Sequence, residues 1–380
     1  MRNIYLEKGP IKLKNKKKKQ PEFFSLDKPL LIITSILIVL GLVFTYSSSA
    51  FDTLAYFKKQ AAFDAIGIVI MLILARYYMR LQEIIKHKIV LFITWGLLIW
   101  ALFSAEAAHV HRWIHLGPIN IQPSEFAKLA LIIFISYFLS KKKDITVNPK
   151  SVLVPFIYTI ITIILIVKGK DLGIPALIFA VAMALFFIAG TKKRYLAAVF
   201  LVFLPAVIIE CFRHPYRIQR IMTFINPEKT ISGAGYQLSH SLYAIGSGGW
   251  FGKGLGASEL KLEFLPAAHT DFIFAIFCEE VGMIGAFILI FLFIALLRRG
   301  LSIARKTDNK FHSYLAAGIT LCLCLQAFIN MGVAGGLFPT KGLPLPFFSY
   351  GGSSVIITLA MMGILMNIAS YENKDTEEMK

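Results

Sequence analysis

The chain of 380 residues is 57% hydrophobic and 16% charged, and its mean hydropathy is +0.68. Soluble domains carry about a quarter charged residues. The composition therefore excludes a soluble cytosolic enzyme, a disordered chain and a nucleic-acid-binding domain. The net charge of +18 is unevenly placed, because residues 1–20 hold eight Lys or Arg and a single Glu. A basic tail beside a very apolar body indicates a membrane protein whose tail lies in the cytoplasm.

Ten apolar runs follow in chain order. A helix needs about 20 apolar residues to cross a hydrocarbon core about 30 Å thick. We therefore predict an all-α, polytopic integral membrane protein with about ten transmembrane helices. The run that contains Lys128 is the weakest, because it also follows a proline. The predicted spans are 29–48, 61–79, 87–104, 124–140, 152–168, 172–190, 195–211, 272–297, 313–337 and 349–369.

The distribution of Lys and Arg predicts the orientation of these spans. With the N-terminus inside, the inner loops and their flanking helix ends hold sixteen Lys or Arg, and the short outer loops hold six. Both termini are therefore expected in the cytoplasm. The predicted organisation is a basic tail at 1–28, a transmembrane domain at 29–370 with a long outer loop at 212–271 between the seventh and eighth spans, and a second tail at 371–380.

The first polar segment surrounds the start of the fourth span. Glu125 and Lys128 are three residues apart and can share a helix face, and Ser124 can open the helix. Arg112 and Gln122 precede them. On these residues alone, an ordinary capped helix beside an interfacial Trp/Arg belt is the simpler interpretation.

Two parts of the long outer loop suit an anionic ligand. Arg213, Arg217 and Arg220 would form one cationic face in a helix, which suits a diphosphate; a stripe facing solvent or lipid headgroups is the alternative. Residues 246–256 hold six glycines and Lys253, which permits close backbone approach to a ligand. A merely flexible loop is the other interpretation of this segment.

Acidic residues concentrate where the eighth span begins. Asp271 opens this span, and Glu279 and Glu280 lie inside the same apolar run. Carboxylates at that depth need partners or an aqueous cavity. Asp271 is either a general base or an ordinary N-terminal helix acid, and the buried pair favours the functional interpretation. Asp171, at the outer start of the sixth span, is either a helix cap or a group that lines an outer cavity.

The last polar segment is residues 338–354, where three prolines exclude a continuous helix. Its end, with Ser353 and Ser354, opens the tenth span and leaves free backbone N–H groups. Together with Lys341, these groups predict an anion-binding corner. A well-packed re-entrant turn is the alternative.

In this order, the segments resemble the SEDS family of polytopic membrane proteins (shape, elongation, division, sporulation). The resemblance covers residues 27–370. Within the family, Pro-Thr-Lys-Gly at 339–342 is more similar to division members than to elongation members, in which Val-Thr-Gly is typical. The most specific motifs are RWI-x-LGP…QPSE-x-AK at 112–128, GYQLSHSLYAIGSGGWFGKGLG at 235–256, HTDFIFA…EE-x-G at 269–282 and PTKGLPLPFFSYGGSS at 339–354.

The resemblance implies a glycosyltransferase of the bacterial cytoplasmic membrane that polymerises lipid II into peptidoglycan strands at the division site. It also implies a class B penicillin-binding protein and other division proteins as partners, and membrane lipid but no nucleic acid. The catalytic acid falls on Asp271. The expected substrate-binding residues are Arg112, Lys128, Arg217, Lys253, Lys341, Ser353 and Ser354, and the expected supporting residues are Gln122, Ser124, Glu125, Asp171, His269, Thr270, Glu279 and Glu280.

Two departures from the family pattern and three alternatives stay open. Ala267 stands where the family usually has Glu, and Lys170 and Ile174 flank Asp-Leu-Gly where Pro and Thr are usual. A lipid II flippase, the same chemistry serving elongation, and a non-catalytic division scaffold are the alternative functions. No metal site is assigned; Mg2+ or Mn2+ is an open alternative, since no carboxylate cluster of clear ligand spacing marks its place.

Overall fold

The structure, a computed structural model, describes most of the chain. Within the described residues the chain forms twelve α-helices and one two-stranded antiparallel sheet. The described ranges are 26–49, 54–84, 87–104, 112–117, 119–141, 150–213, 215–225, 234–259, 271–340 and 342–377.

Ten of the helices coincide with the ten predicted spans, which confirms the polytopic helical fold. Six of them, among the described residues, are long and apolar enough to cross a membrane, and three more are shorter apolar helices. These ten are α1 (Lys28–Ser49), α2 (Ala55–Ile84), α3 (His87–Phe103), α4 (Pro123–Lys141), α5 (Lys150–Lys168), α6 (Gly173–Ile188), α7 (Lys193–Phe212), α10 (Ile273–Lys306), α11 (Lys310–Ala334) and α12 (Gly352–Glu377).

The helices are longer than the predicted spans mainly at their charged ends. Helix α2 includes Lys58 and Arg80, and α10 continues through Arg305 and Lys306. Hydropathy marks only the apolar part of a helix, whereas the backbone hydrogen bonds continue beyond the hydrocarbon. The predicted spans therefore underestimate α2 and α10.

The outer segments contain regular structure that the sequence analysis did not predict. The loop predicted at 212–271 holds α8 (Pro215–Ile225) and α9 (Ala234–Ser247). Before α4, β1 (Ile114–Leu116) pairs with β2 (Ile119–Ile121), with Gly117 at a φ of 63° in the turn. Strands of three residues are too short for a period of two to stand out, so the all-α prediction missed this hairpin.

The core lies among α4, α6, α10, α11 and α12, whose facing side chains are almost fully buried. Helix α12 packs against α2 so closely that a Cβ on Gly363 would overlap the backbone of Met71. Large apolar side chains are exposed along α1, α2, α3 and α10, among them Ile32, Phe92 and Phe291. A polytopic protein presents such surfaces to lipid rather than to water.

Helix α10 is broken near its outer end. Gly282 adopts φ 76° and ψ −172°, which no residue within a regular helix adopts. The segment that follows α9 fills the break: the N–H of Met283 donates to the carbonyl of Gly249 (2.9 Å), and that of Ile284 donates to Trp250 (3.2 Å). The break therefore connects α10 to the glycine-rich segment of the outer loop.

Candidate active site

Asp271 lies at the outer start of α10, where three parts of the chain meet. The side-chain amide of Asn330, on α11, donates to the carbonyl of Asp271 (2.9 Å) and to that of Leu343 (2.7 Å). A Cβ on Gly342 would lie only 3.1 Å from Asp271 Oδ2. The segment before α12 therefore passes directly beside the carboxylate, and Asn330 fixes both backbones.

Two arginines and a second acid surround this carboxylate. Burial raises the pKa of Asp271 to about 6, although the charges of Arg112 and Arg220 lower it; Asp171 adds to the rise. Arg112 donates to the carbonyl of Lys170 (2.6 Å) and lies 4.0 Å from Asp171 Oδ2. Arg220, on α8, donates to the carbonyl of Thr340 (3.2 Å). Residues far apart in sequence thus assemble one charged site.

Asp171 bonds the start of α6 and also faces the charged site. Its Oδ1 accepts the N–H of Gly173 (3.0 Å) at the start of α6, so it is a helix cap. Its Oδ2 faces Arg112, and its charge acts on Asp271. The turn before it is strained, because Lys170 adopts a φ of 63°.

This arrangement suits a reaction that needs a base beside an anion. A carboxyl with a pKa near 6 is ionised at neutral pH and is more basic than an ordinary aspartate. Arginine is well suited to phosphate groups, because its planar guanidinium donates several hydrogen bonds to them. The site can accept a proton at Asp271 and hold a negatively charged group at Arg112 and Arg220.

Comparison with known proteins places the chain in a family. A family model described as "Cell cycle protein", FTSW_RODA_SPOVE, matches residues 28–374. The chain belongs to the FtsW/RodA/SpoVE family. This confirms the resemblance on which the predicted site residues depend.

Two similar curated proteins cover nearly the whole chain. The "Probable peptidoglycan glycosyltransferase FtsW" of Trichlorobacter lovleyi is 38% identical over 355 residues, which are 90% of this chain and 93% of that protein. "Stage V sporulation protein E" of Bacillus subtilis is 37% identical over 357 residues, 91% and 97% of the two chains. Among solved structures, a chain of a peptidoglycan synthase complex matches with a TM-score of 0.72 at 24% identity, and the match covers 90% of this chain and 97% of that one. That likeness shows the fold.

In this FtsW/RodA/SpoVE member, Lys128 lies in a buried network with Glu125 and Gln326. Its Nζ is 2.7 Å from Glu125 Oε2 and donates to Gln326 Oε1 (2.6 Å), and Gln326 donates to the carbonyl of Pro344 (2.8 Å). Both charged side chains are almost fully buried. The contacts of Lys128 therefore support the segment beside Asp271, whereas a direct contact with substrate stays a prediction.

Lys253, Glu259 and Glu279 form a separate cluster near the break in α10. Lys253 Nζ contacts Glu279 Oε1 (2.9 Å) and Glu259 Oε1 (3.2 Å). Glu279 also accepts from Ser258 Oγ (2.5 Å). Glu280 points the other way and accepts from Ser47 of α1 (2.6 Å). Glu279 and Glu280 therefore have the partners that buried carboxylates need.

The remaining predicted residues divide into three groups. Ser353 Oγ accepts the N–H of Gln122 (3.1 Å), and Ser124 and Ser354 are both buried. Arg217 is buried against Glu210 of α7 (2.8 Å), so it and Arg220 have different partners. Ala267, His269, Thr270 and Lys341 lie outside the described residues.

Three residues of the site were not among those predicted from the sequence. Arg220 belongs to the predicted cationic face, but the sequence predicts Arg217 as the binding residue. Gln326 and Asn330 were missed, although two amides four residues apart in an apolar span are a recognisable signal. Among the described residues, no three His, Cys, Asp or Glu side chains come together as a metal site; the divalent cation stays a prediction.

Proposed function

We propose that the protein is a glycosyltransferase that polymerises lipid II into peptidoglycan strands at the outer face of the bacterial cytoplasmic membrane. The observation that carries the proposal is the Asp271 carboxyl, with a pKa of about 6, beside Arg112 and Arg220. The names of the FtsW relatives support the chemistry.

The proposed reaction uses each of these charges. Asp271 accepts the proton of the 4-hydroxyl of the acceptor's N-acetylglucosamine, and that oxygen attacks C1 of the donor's N-acetylmuramic acid. The bond from C1 to the diphosphate breaks, undecaprenyl diphosphate leaves, and the linkage inverts from α to β. Arg112 and Arg220 stabilise the negative charge that develops on the leaving diphosphate. Arg217 and Lys253 have acidic partners elsewhere, so we assign this role to Arg112 and Arg220; binding of substrate by Arg217 and Lys253 stays a prediction.

A polymerisation assay tests this assignment. Purified protein in liposomes receives lipid II, and glycan chains are separated by length. We expect Asp271→Asn to reduce the rate about 10²–10⁴-fold, the usual contribution of general acid–base catalysis. Asp308→Asn is the matched control, because Asp308 is exposed just beyond the inner end of α10. A native rate in Asp271→Asn would overturn the proposal, and transfer of labelled lipid II across the bilayer without chain formation would favour a flippase.

We further propose that this chemistry serves cell division, together with a class B penicillin-binding protein. Pro-Thr-Lys-Gly at 339–342 and the FtsW relatives support the division role, and the similarity to a chain of a peptidoglycan synthase complex supports the partner. The gene should restore septation in cells depleted of their division glycosyltransferase. Restoration only of elongation, in cells depleted of the elongation enzyme, would contradict the division role.

A further inference from the structure

The segment 248–256, called here the glycine loop, is fixed rigidly to the break in α10. The N–H of Lys253 donates to the carbonyl of Glu279 (2.9 Å), and that of Gly254 donates to Glu280 (3.0 Å), in addition to the two bonds that α10 returns to the loop. A Cβ on Gly248 would overlap the carbonyl oxygen of Cys278, and one on Gly252 would overlap that of Glu280. The two backbones are therefore in direct contact.

The tip of this rigid loop is apolar and exposed. Phe251 is 84% exposed, Leu255 68% and Trp250 65%. The tip continues a strip of exposed apolar side chains on the same part of α10, which includes Met283 and Phe287. Large aromatic side chains held outward on a rigid backbone mark an interaction surface rather than a disordered loop.

The position of the tip along α10 places it within the membrane. Fifteen residue steps of helix separate Met283 from Arg298, the basic residue at the inner end of the apolar stretch, which gives about 22 Å. The hydrocarbon core is about 30 Å thick. Because the carbonyl of Trp250 accepts the N–H of Ile284, the tip lies level with these residues, in the outer half of the core.

Three backbone N–H groups next to the tip are satisfied in the way that this depth requires. Irregular backbone is tolerated at membrane depth only where its polar groups are satisfied by protein. The N–H groups of Gly252, Lys253 and Gly254 all donate to carbonyls, two of them on α10. The charge of Lys253 is paired with Glu279 on the outer side of the break. What the loop presents outward at its tip is aromatic, which suits acyl chains and the interfacial region above them.

We propose that the glycine loop is a re-entrant segment whose tip, Trp250 and Phe251, inserts into the hydrocarbon of the outer leaflet. The segment enters from the outer face, touches α10 at its break and returns outward through Leu255. The inference depends on the membrane-spanning fold and not on the proposed reaction, so its test is independent of enzyme activity. The competing occupant of this surface is the apolar membrane helix of a partner protein.

Fluorescence quenching in lipid nanodiscs tests the insertion. The difference in emission between the native protein and Trp250→Phe isolates Trp250 from the other three tryptophans. We expect lipids with brominated acyl chains to remove most of that difference, and aqueous iodide to leave it unchanged. Quenching by iodide without quenching by brominated lipid would overturn the proposal. Loss of lipid quenching when the class B penicillin-binding protein is added would assign the surface to the partner and overturn it as well.

Cysteine labelling provides a second, independent measurement. Phe251→Cys is compared with His115→Cys, because His115 is exposed on the outer hairpin. A membrane-impermeant maleimide should modify the His115→Cys protein rapidly and leave Phe251→Cys unmodified in nanodiscs. After transfer to denaturant, each variant should show one modified cysteine more than the native protein with its four cysteines, which shows that the protection comes from the bilayer and the fold. Equal rates for the two variants in nanodiscs would contradict membrane insertion.

Discussion

Asp271 combines a buried carboxyl with neighbouring charges, and this combination predicts a pH dependence with a definite sign. The base must be ionised, so kcat/KM should rise with pH and level off above about 6. Arg220→Gln removes a charge that lowers the pKa of Asp271 and should move this limb to higher pH. Asp171→Asn removes a charge that raises it and should move the limb to lower pH.

Initial rates of lipid II polymerisation across the acid limb measure these shifts. Slower variants whose limbs stay in place would indicate a merely structural role for both residues.

The raised pKa of Asp271 also has a consequence for stability. The folded-state pKa of Asp271 lies above its ordinary value of 3.8. The free energy of unfolding should therefore fall as the pH rises from 3.8 through about 6.

The buried pair of Glu125 and Lys128 predicts a stability effect. Lys128→Met leaves the Glu125 carboxylate buried without its cation, which should reduce the free energy of unfolding by about 3–5 kcal/mol. The double variant Glu125→Gln with Lys128→Met removes both charges and should recover most of the loss. Thermal unfolding in detergent measures both effects; a double variant no more stable than the single one would show that the pair itself is not the cause.

At the scale of elements, the contact between the glycine loop and α10 predicts different results for two similar glycines. Gly252 and Gly256 have φ values of 78° and 84°, so alanine at either position costs about 1–2 kcal/mol of backbone strain. Only at position 252 would the new Cβ overlap backbone, at Glu280; at 256 it meets open space. Gly252→Ala should therefore lower the melting temperature clearly more than Gly256→Ala, and equal shifts would mean that the contact is unimportant.

The elements also show what the sequence could and could not predict. Apolar runs located the ten helices α1 to α7 and α10 to α12, because burial in lipid requires continuous apolar surface. The spacing of three arginines predicts the cationic face of α8. It does not show which arginine faces the site, because that depends on their partners in the fold, Glu210 for Arg217 and Thr340 for Arg220. Asp171 acts on Asp271 across one hundred residues of sequence, and only the fold brings them together. The family motifs supplied Asp271 itself.

At the scale of the whole molecule, the charge distribution predicts the orientation in the membrane. The Asp27 carboxylate at the start of α1 bonds Arg299 near the end of α10, so these two ends share one face. The basic loops predict that this face lies in the cytoplasm. A periplasmic reporter fused after residue 377 should be inactive, and one inserted at 230 in the outer segment should be active. The reverse pattern would contradict the predicted topology.

The close contact between the glycine loop and the break in α10 also constrains how the protein can evolve. Gly248, Gly252 and Gly282 each lie so close to the opposing backbone that none can gain a side chain unless the partner segment moves. Because the opposing atoms belong to the backbone, no substitution on the other side can make room, and all three positions should remain glycine. In a chimera with a family member that has these three glycines, exchange of the glycine loop alone should leave folding intact, because the contacts join backbone to backbone.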